Sequence, residues 1–373
     1  MNSLKKIISS LLFISIIVSM CACHGKDETA LTIDGIQISS ALYLNALLES
    51  DSAARSKVDS DESEKASSNT SSSASTSSEG TTDYYSKTVD GKKYVDYVKE
   101  QAIKKCKEYA FYQKLVNDKK ISLTEEKLTE AENAAKSYWD YYGYSTVFEP
   151  NGISYDTYKK AFTYSYYSNE YFMSIYGEKG SSAVSKSDIL KTLTEKYALV
   201  YTLSSSYDEN TTSAEKQSTE EKFANYEKRL KKGESFSKIS EEYNGKSSNG
   251  TVDVSEESSQ SAAKDKLATI IGDSDTSYSN DNFKDISAMK KGEVKIIKAS
   301  DGSKVELYVK LDITEDPYYL SSLNDSILYI LKQDEFTANV EKQLEAMTVK
   351  ENGYAIGRLK VKKITYPTSQ QNG

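Results

Sequence analysis

Histidine is nearly absent from this chain of 373 residues, which contains only His24. Since His24 stands close to the N-terminus, the rest of the sequence offers no imidazole side chain. Nucleophilic catalysis by Ser-His-Asp or Cys-His arrangements needs histidine as its general base, so both are excluded. Zinc sites built on histidine spacings are excluded for the same reason. We therefore expect none of these chemistries, no metal site and no cofactor.

Cysteine is also scarce, with Cys21, Cys23 and Cys106 as the only three thiols. Two of them lie near the N-terminus, and a single remaining thiol cannot form an internal disulfide. Cys106 continues a run of apolar residues at three- and four-residue spacing, which is typical of the buried face of a helix. This pattern favours a buried structural cysteine over a reactive thiol.

Positive charge is limited as well. The chain has few arginines, its net charge is -8 and its isoelectric point is near 5.1. A nucleic-acid binder needs a basic surface that neutralises phosphates. The composition therefore argues against nucleic acid as a partner.

Apolar residues make up only 38% of the chain, which is low for a globular protein. Residues 51–82 are dominated by serine, alanine and acidic residues. Such a segment cannot bury enough apolar surface to offset the entropy that ordering costs. We predict a disordered insertion over this range.

The N-terminus has the pattern of a secretion signal. Lys5 and Lys6 are followed by residues 7–20, which are largely apolar and carry no charge. This run is short for a membrane-spanning helix, which needs about 20 apolar residues. A short apolar run behind lysines is typical of a signal peptide. We predict one over residues 1–22, with an ordinary secretory signal or an uncleaved anchor as alternatives to a lipoprotein signal.

The cleavage region indicates a lipoprotein. A small residue is needed just before the modified cysteine, and Ala22 before Cys23 meets this need, whereas Met20 before Cys21 does not. We predict Cys23 as the lipidation site, with Cys21 as the alternative, and residues 23–29 as the anchor tail. The mature chain would then be held by its lipid on the extracytoplasmic face of the cell membrane.

Tyrosine is abundant, with 30 residues against 9 Phe and 1 Trp. Tyr155, Tyr158, Phe162 and Tyr166 recur at three- and four-residue spacing on one face of a predicted helix. Two interpretations are open. The rings form a core, or they line a groove that holds extended segments of another protein, for which tyrosine offers large contact area at low entropy cost. These four are our candidate residues for binding an unfolded client protein.

Several segments resemble the SurA/PrsA family of extracytoplasmic foldases. Residues 31–39 read Leu-Thr-Ile-Asp-Gly-Ile-Gln-Ile-Ser ahead of a predicted helix and resemble the start of these proteins. Within them, Asp34-Gly35 between alternating apolar residues predicts a hairpin turn. Residues 230–243, with Gly-Glu-Ser-Phe between two predicted helices, look like part of a parvulin domain, as do residues 289–294 and the strand over 307–311. The resemblance implies an α+β fold, in which a mostly helical chaperone domain contains a small inserted parvulin-like α/β domain.

The resemblance also implies the domain order. The implied parts are a helical SurA/PrsA-like domain over 30–196, a degenerate parvulin-like domain over 197–315, a C-terminal helix and strand over 316–366 that pack back on the N-terminal domain, and a disordered tail over 367–373. We place the final strand at residues 354–364, where apolar and polar residues alternate.

Two histidines that active parvulins carry on their strands are missing. Tyr201 stands where the family has a His-Ile-Leu run, and the second family histidine falls at about Leu307. The aromatic wall for the substrate proline is not evident near Phe283 and Ser287. Prolyl isomerisation lowers a barrier of about 18–20 kcal/mol in a shaped, dry pocket. We therefore predict that isomerase activity is lost.

Together these observations predict a membrane-anchored, chaperone-like or foldase-like lipoprotein that binds unfolded or folding exported proteins. One alternative is an active peptidyl-prolyl cis-trans isomerase with an unusual pocket. Another is an adhesive or ligand-binding lipoprotein of the cell surface, with a carbohydrate or an envelope protein as its partner. A solute-binding transport lipoprotein is disfavoured, because the sequence lacks the repeated strand-helix alternation of that two-lobed fold.

Overall fold

The computed structural model describes residues 28–68, 83–245, 267–274 and 280–367. The predicted signal peptide and the predicted lipidation site, Cys23, lie outside the described residues. So do residues 69–82 of the serine-rich segment and residues 368–373 of the predicted tail.

Two compact units make up the chain. The second unit, Tyr176–Asp334, is inserted in sequence into the first, which takes in the described residues up to Ile175 and those from Glu335 onward. Both units combine helices with small antiparallel sheets. The α+β fold class predicted from the sequence is confirmed.

The helices and strands alternate irregularly along the chain. In chain order they are β1 (Thr29–Ile33), β2 (Ile36–Ser39), α1 (Ser40–Ser68), β3 (Thr88–Val89), β4 (Lys92–Lys93), α2 (Tyr94–Asn117), α3 (Glu125–Tyr141), α4 (Ser145–Phe148), α5 (Tyr155–Tyr176), α6 (Lys186–Lys196), β5 (Tyr197–Ser206), α7 (Ser213–Lys231), α8 (Phe236–Tyr243), β6 (Thr269–Gly272), α9 (Asn280–Ser287), β7 (Val294–Lys298), β8 (Lys304–Leu311), α10 (Pro317–Ala346), β9 (Val349–Glu351) and α11 (Gly353–Arg358).

The hairpin β1–β2 turns at Asp34 and Gly35, where the sequence predicts a turn. Both residues have positive φ, 46° and 85°, which a two-residue type I′ turn requires and an Asp-Gly pair accommodates. β1 also pairs antiparallel with β9, so the sheet has the order β2-β1-β9. Leu31 and Ile33 are fully buried. Residues far apart in sequence thus build one sheet of the first unit.

Helix α1 corrects part of the disorder predicted over residues 51–82, because residues 51–68 continue the helix. Asp51, Ala54 and Val58 are buried at three- and four-residue spacing, and the helix packs against α2. Composition did not indicate this stripe, because its residues are small or polar rather than large and apolar.

Asp51 is a buried carboxylate with three donors. Its side chain has no exposed surface. It accepts hydrogen bonds from the Tyr94 hydroxyl at 2.9 Å, the Tyr366 hydroxyl at 2.8 Å and Nε of Arg55 at 2.9 Å. Such partners compensate the hydration that a buried carboxylate loses. The bond from Tyr366 holds the C-terminal segment against α1.

Helix α2 carries Cys106 on its buried face. The residue has no exposed surface, and burial raises the pKa of the Cys106 thiol well above its usual value. The thiolate is the reactive form of cysteine, so a thiol that stays protonated is inert. Cys106 is therefore a packing residue.

The C-terminal segment corrects the strand predicted over residues 354–364. The strand is the shorter β9, and α11 follows it at once. Asn352 starts this helix, because its side chain accepts a hydrogen bond from the backbone N–H of Ala355 at 3.3 Å. A helix cap is invisible to a count of alternating residues, which explains the error.

The second unit is built on a four-stranded antiparallel sheet with the order β6-β5-β8-β7. Successive residues of a strand point to opposite faces of a sheet. Side chains from α7 and α8 cover one face, and side chains from α9 cover the other. Both faces of the sheet are therefore buried, and each faces its own hydrophobic core.

This unit is larger than the predicted range of 197–315. Leu193 of α6 and Tyr319 and Ile327 of α10 form one buried cluster with Leu199 of β5. These apolar side chains are buried against the sheet. Helix α6 and the first part of α10 therefore pack on this sheet.

Candidate functional site

An aromatic cluster formed by α3, α4 and α5 in the first unit is the candidate functional site. Its base consists of Trp139, Phe148 and Tyr158, each at most 7% exposed. The Trp139 ring lies 5.7 Å from Phe148 and 5.2 Å from Tyr158, and the latter two meet edge to face at 5.3 Å. Such ring contacts stabilise a cluster beyond the area that they bury. The base is thus a rigid support.

Against this base lies a row of five rings, which we call the tyrosine row: Tyr166, Phe162, Tyr138, Tyr142 and Tyr144. Neighbouring ring centroids are 5.5–6.1 Å apart, and Tyr142 is stacked on both Tyr138 and Tyr144. Tyr138 is 45% exposed and Tyr142 is 57% exposed, while the other three are half-buried. The row is a continuous aromatic surface that solvent reaches.

The stripe of α3 explains why two of these rings face outward. Ala131, Ala135 and Trp139, spaced by four, are the buried residues of this helix. Tyr138 and Tyr142 are also spaced by four, but they fall beside that stripe. Their rings therefore stack on each other at the edge of the helix instead of entering the core.

The end of α3 positions the next ring of the row. Gly143 has a φ of 61°, and its N–H donates to the carbonyl of Asp140 at 3.3 Å, while the N–H of Tyr144 donates to the carbonyl of Trp139 at 3.0 Å. This pair of bonds is a Schellman motif, whose left-handed position favours glycine. The turn brings the ring of Tyr144 back alongside Tyr142.

The four residues predicted to bind a client all lie on α5 in this cluster, but they divide between its base and its surface. Tyr158 belongs to the buried base. Tyr155 is half-buried and packs edge-on against Trp139 at 5.5 Å. Phe162 and Tyr166 belong to the tyrosine row. Two of the four thus contribute to the exposed surface, and two support it.

Sequence reasoning missed Tyr138, Tyr142 and Tyr144 as site residues, together with Tyr141, which is 85% exposed. A signal for them was available. Three tyrosines crowd around a glycine at the predicted end of a helix, within residues 141–144. Rings packed so densely at a helix end cannot all reach the same core.

The hydroxyl groups of Tyr144, Tyr158 and Tyr166 stay protonated at neutral pH. Burial raises the pKa of Tyr144 and of Tyr158. Burial also raises the pKa of Tyr166, with a further contribution from the charge of the neighbouring Glu130 carboxylate. These tyrosines therefore act as neutral donors beside apolar ring faces.

The second unit holds Tyr201 and Leu307, the positions at which the resemblance noted in the sequence implies histidines. Tyr201 on β5 stacks on Phe236 of α8 with centroids 4.6 Å apart and planes 10° apart. Leu307 on β8 is fully buried. Both pack in the core between the sheet and helices α7 and α8, so both act as packing residues.

Phe283, near which the sequence shows no evident aromatic wall for a substrate proline, lies on the opposite face of the sheet. It packs there with Val200 and Tyr308. Ser287 donates its hydroxyl to the carbonyl of Lys284 in its own helix at 3.0 Å. Positions 201 and 307 therefore do not share a pocket with α9.

In the part of the chain that the structure describes, no group of three or more His, Cys, Asp or Glu side chains is placed to hold a metal ion. Among the helices of residues 28–68, 83–245, 267–274 and 280–367, none combines the length and the apolar character that crossing a membrane requires.

No protein-family profile and no curated protein matches the sequence. Among solved structures, the chain is similar to the foldase protein PrsA from Streptococcus pneumoniae, with 11% identity and a TM-score of 0.36 over 73% of this chain and 86% of that one. It is also similar to PrsA from Bacillus subtilis, with 17% identity and a TM-score of 0.28 over 74% of this chain and 89% of that one. At these low scores, neither similarity carries an argument about function.

Proposed function

We propose that this protein is a chaperone-like lipoprotein that binds unfolded segments of exported proteins on the tyrosine row. The observation that carries the proposal is the exposure of Tyr138 and Tyr142 on a buried aromatic base. An exposed apolar patch rimmed by polar groups is typical of a protein-binding surface. Rigid tyrosine rings offer such a surface at low entropic cost and adapt to varied partners through their hydroxyls.

The dimensions of the row suit an extended peptide. Its four steps of 5.5–6.1 Å give a contour of about 23 Å, which matches roughly seven residues of extended chain at about 3.3 Å per residue. Each aromatic contact contributes only about 0.5–1.5 kcal/mol. Binding would therefore be reversible, as a chaperone that releases its client requires.

The test is an aggregation assay with an unfolded client protein and the mature chain. We expect the wild type to suppress aggregation, and the double variant Tyr138→Ser with Tyr142→Ser to lose most of this activity. The matched control is Tyr354→Ser, which removes a tyrosine that is 72% exposed outside the row. Suppression by the double variant equal to that of the wild type would exclude the row as the client site.

We further propose that Cys23 carries a lipid that holds the protein on the extracytoplasmic face of the membrane. The support is the apolar segment behind Lys5 and Lys6 and the small residue Ala22 before this cysteine. We expect Cys23→Ser to release the protein from the membrane fraction and Cys21→Ser to leave it there. The reverse pattern would assign the lipid to Cys21.

The proposal includes the loss of prolyl isomerase activity. It is supported by Tyr201 and Leu307, which are packed into a core, and by the absence of histidine from the sequence after His24. We expect no rate gain on a proline-containing test peptide. A gain that survives Tyr138→Ser with Tyr142→Ser but not Tyr201→Ala would instead identify the second unit as an active isomerase.

A further inference from the structure

Strand β7 lies at the edge of the four-stranded sheet, where it pairs with β8 alone among the described strands. The N–H of Ala299 donates to the carbonyl of Lys304 at 3.0 Å. Because an antiparallel strand turns its backbone groups alternately towards and away from its partner, those of Val294, Ile296 and Lys298 point away from β8. Outside the β7–β8 ladder, no backbone hydrogen bond between described residues involves these three. The outer edge of β7 therefore offers the unpaired donors and acceptors with which another strand can pair.

An open groove of about 440 Å³ lies beside this edge, between β7 and α7. Ile296 is half-buried and packs against the core on the α7 side of the sheet. Alternate side chains of a strand share one face, so half the side chains of an added strand would point to the same side. The groove that would receive them is lined by Ile296 and Lys298 of β7 and by Gln217, Glu220, Glu221 and Ala224 of α7.

The groove carries more negative than positive charge. Its lining includes two carboxylates and one ammonium group, which gives a net charge of -1. Glu220 is paired with Lys298, whose Nζ lies 2.6 Å from its carboxylate. Glu221 accepts a hydrogen bond from the Gln217 amide at 3.0 Å and takes part in none of the ion pairs between described residues. The Glu221 carboxylate is therefore left to attract a cationic side chain.

A second copy of this chain fits the edge less well than an extended peptide. If β7 paired with itself about a two-fold axis, the two α7 helices would lie on the same face of the joined sheet. Glu220 and Glu221 of one copy would then lie near the same carboxylates of the other, and like charges repel. A single extended segment brings no second helix, and a basic side chain on it complements Glu221.

We propose that β7 binds an extended, basic segment of another polypeptide as a fifth strand of the sheet. An apolar side chain of the segment lies over Ile296, and a lysine or arginine lies beside Glu221. Main-chain hydrogen bonds supply the affinity of such strand addition, and side-chain sites supply its selectivity. This site lies in the second unit and does not depend on the tyrosine row, so it is a second polypeptide-binding surface.

The first experiment measures binding of two fluorescent seven-residue peptides to the mature chain by anisotropy. Both carry threonine at odd positions and valine at the centre, and the second and sixth positions hold lysine in one peptide and glutamate in the other. The valine and these two positions share a face, so all three can point to the groove. We expect the lysine peptide to bind about tenfold more tightly at low salt. Equal affinity, or tighter binding of the glutamate peptide, would overturn the charge preference.

Methylation of peptide nitrogens tests strand addition directly. When the central valine lies opposite Ile296, its N–H points to β7, whereas the N–H groups of the two neighbouring threonines point to solvent. We expect N-methylation of the valine to weaken binding about tenfold, and N-methylation of those threonines to leave it almost unchanged. Equal effects of the two modifications would show that the peptide is not held as a strand and would overturn the inference.

A proline substitution blocks the same edge from the side of the protein. Lys298→Pro removes an N–H that points away from β8, which an edge strand tolerates. The matched control, Lys298→Ala, also removes the ion pair with Glu220 but keeps the N–H. We expect the proline variant to bind the lysine peptide about tenfold more weakly than the alanine variant, with unchanged circular dichroism. Equal affinities of the two folded variants would overturn the inference, and the methylated peptides decide the matter if the proline variant does not fold.

The role of the carboxylate is tested by Glu221→Gln, which should reduce the preference for the lysine peptide about threefold. The matched control, Glu209→Gln, removes an exposed carboxylate that does not line the groove and should keep the preference. A preference that is the same in both variants would overturn the assignment of Glu221.

The double variant Tyr138→Ser with Tyr142→Ser separates this site from the tyrosine row. It should bind the lysine peptide as the wild type does. Loss of binding in this double variant but not in Lys298→Pro would assign the peptide to the row and overturn the inference. Failure of the lysine peptide to bind the wild type would also overturn it, while leaving the aggregation assay to decide the function of the row.

Discussion

Each unit of this protein contains an aromatic cluster, but only one of the two clusters is covered by a further layer. In the second unit, Phe223 and Tyr226 of α7 are fully buried against the sheet. Tyr243 of α8 packs edge-on against Phe223 at 5.6 Å and donates its hydroxyl to the carbonyl of Ser204 at 2.7 Å. In the first unit, Tyr138 and Tyr142 stack on each other and remain about half exposed.

The difference shows that residue type does not decide the role of an aromatic ring. A ring between a helix and a sheet makes contacts on both faces and contributes to folding stability. A ring at the surface contributes less to stability and leaves its exposed part for a partner. The following changes break or sharpen this comparison, from the largest expected effect to the smallest.

Removing a covered ring should have the largest effect. We expect Phe223→Ala to destabilise the second unit by about 3–5 kcal/mol, because it leaves a cavity between α7 and the sheet. Circular dichroism during denaturant unfolding measures the loss. The single tryptophan, Trp139, lies in the first unit, so its fluorescence should report an almost unchanged transition. An unaltered dichroism midpoint would contradict the packing described for α7.

Removing the support beneath the row should have an intermediate effect. We expect Trp139→Leu to cost about 1–3 kcal/mol of stability in the first unit, and also to weaken client binding. The reason is that Tyr158 and Phe148 lose the ring that holds them. Unfolding by circular dichroism and binding of a client peptide are measured on the same sample. Unchanged binding despite lower stability would show that the row needs no rigid base.

Removing an exposed ring should barely alter stability. We expect Tyr142→Ser to change the free energy of unfolding by less than about 0.5 kcal/mol, yet to weaken client binding. The matched change in the covered cluster is Tyr243→Ser, which should cost about 1–3 kcal/mol and leave client binding intact. Equal stability losses for the two variants would remove the distinction between the clusters.

The smallest effect concerns the pH dependence of the second unit. Hydrogen bonds from Arg229 and Lys238 lower the pKa of Glu234 from its ordinary value of 4.5 to about 2. Because the folded-state pKa is the lower one, this stabilisation is present above pH 4.5 and is lost as the pH falls towards 2. An acid titration followed by circular dichroism should show a shallower loss for Glu234→Gln. The effect should be modest, since the half-buried Glu234 side chain is still reached by solvent, and a steeper loss would contradict the assigned direction.

Local signals predicted several elements correctly. Asp34 and Gly35 form the expected turn because their left-handed backbone suits an Asp-Gly pair. Cys106 lies on the buried face of α2, where its spacing placed it. Gly233, at the expected end of α7, has a φ of 91°, which other residues rarely adopt. Each of these features depends on residues that are neighbours in the sequence.

Other predictions failed where the deciding contact is distant or small. Residues 51–68 are helical because Asp51, Ala54 and Val58 pack against α2, although their composition predicts disorder. The second unit takes in α6 and the first part of α10 because these helices bury apolar side chains on its sheet. A stripe of small residues and a contact between distant helices leave little trace in composition or periodicity.

The sequence by itself determined the chemistry that this protein can offer: many tyrosines, an acidic balance and no histidine in the described units. Only the tertiary structure decided which tyrosines are exposed and which are covered. The physical reason is that exposure depends on the layer lying over a ring, and that layer comes from other parts of the chain. Tyr138 and Tyr226 are therefore indistinguishable as residues, and they differ only in what packs against them.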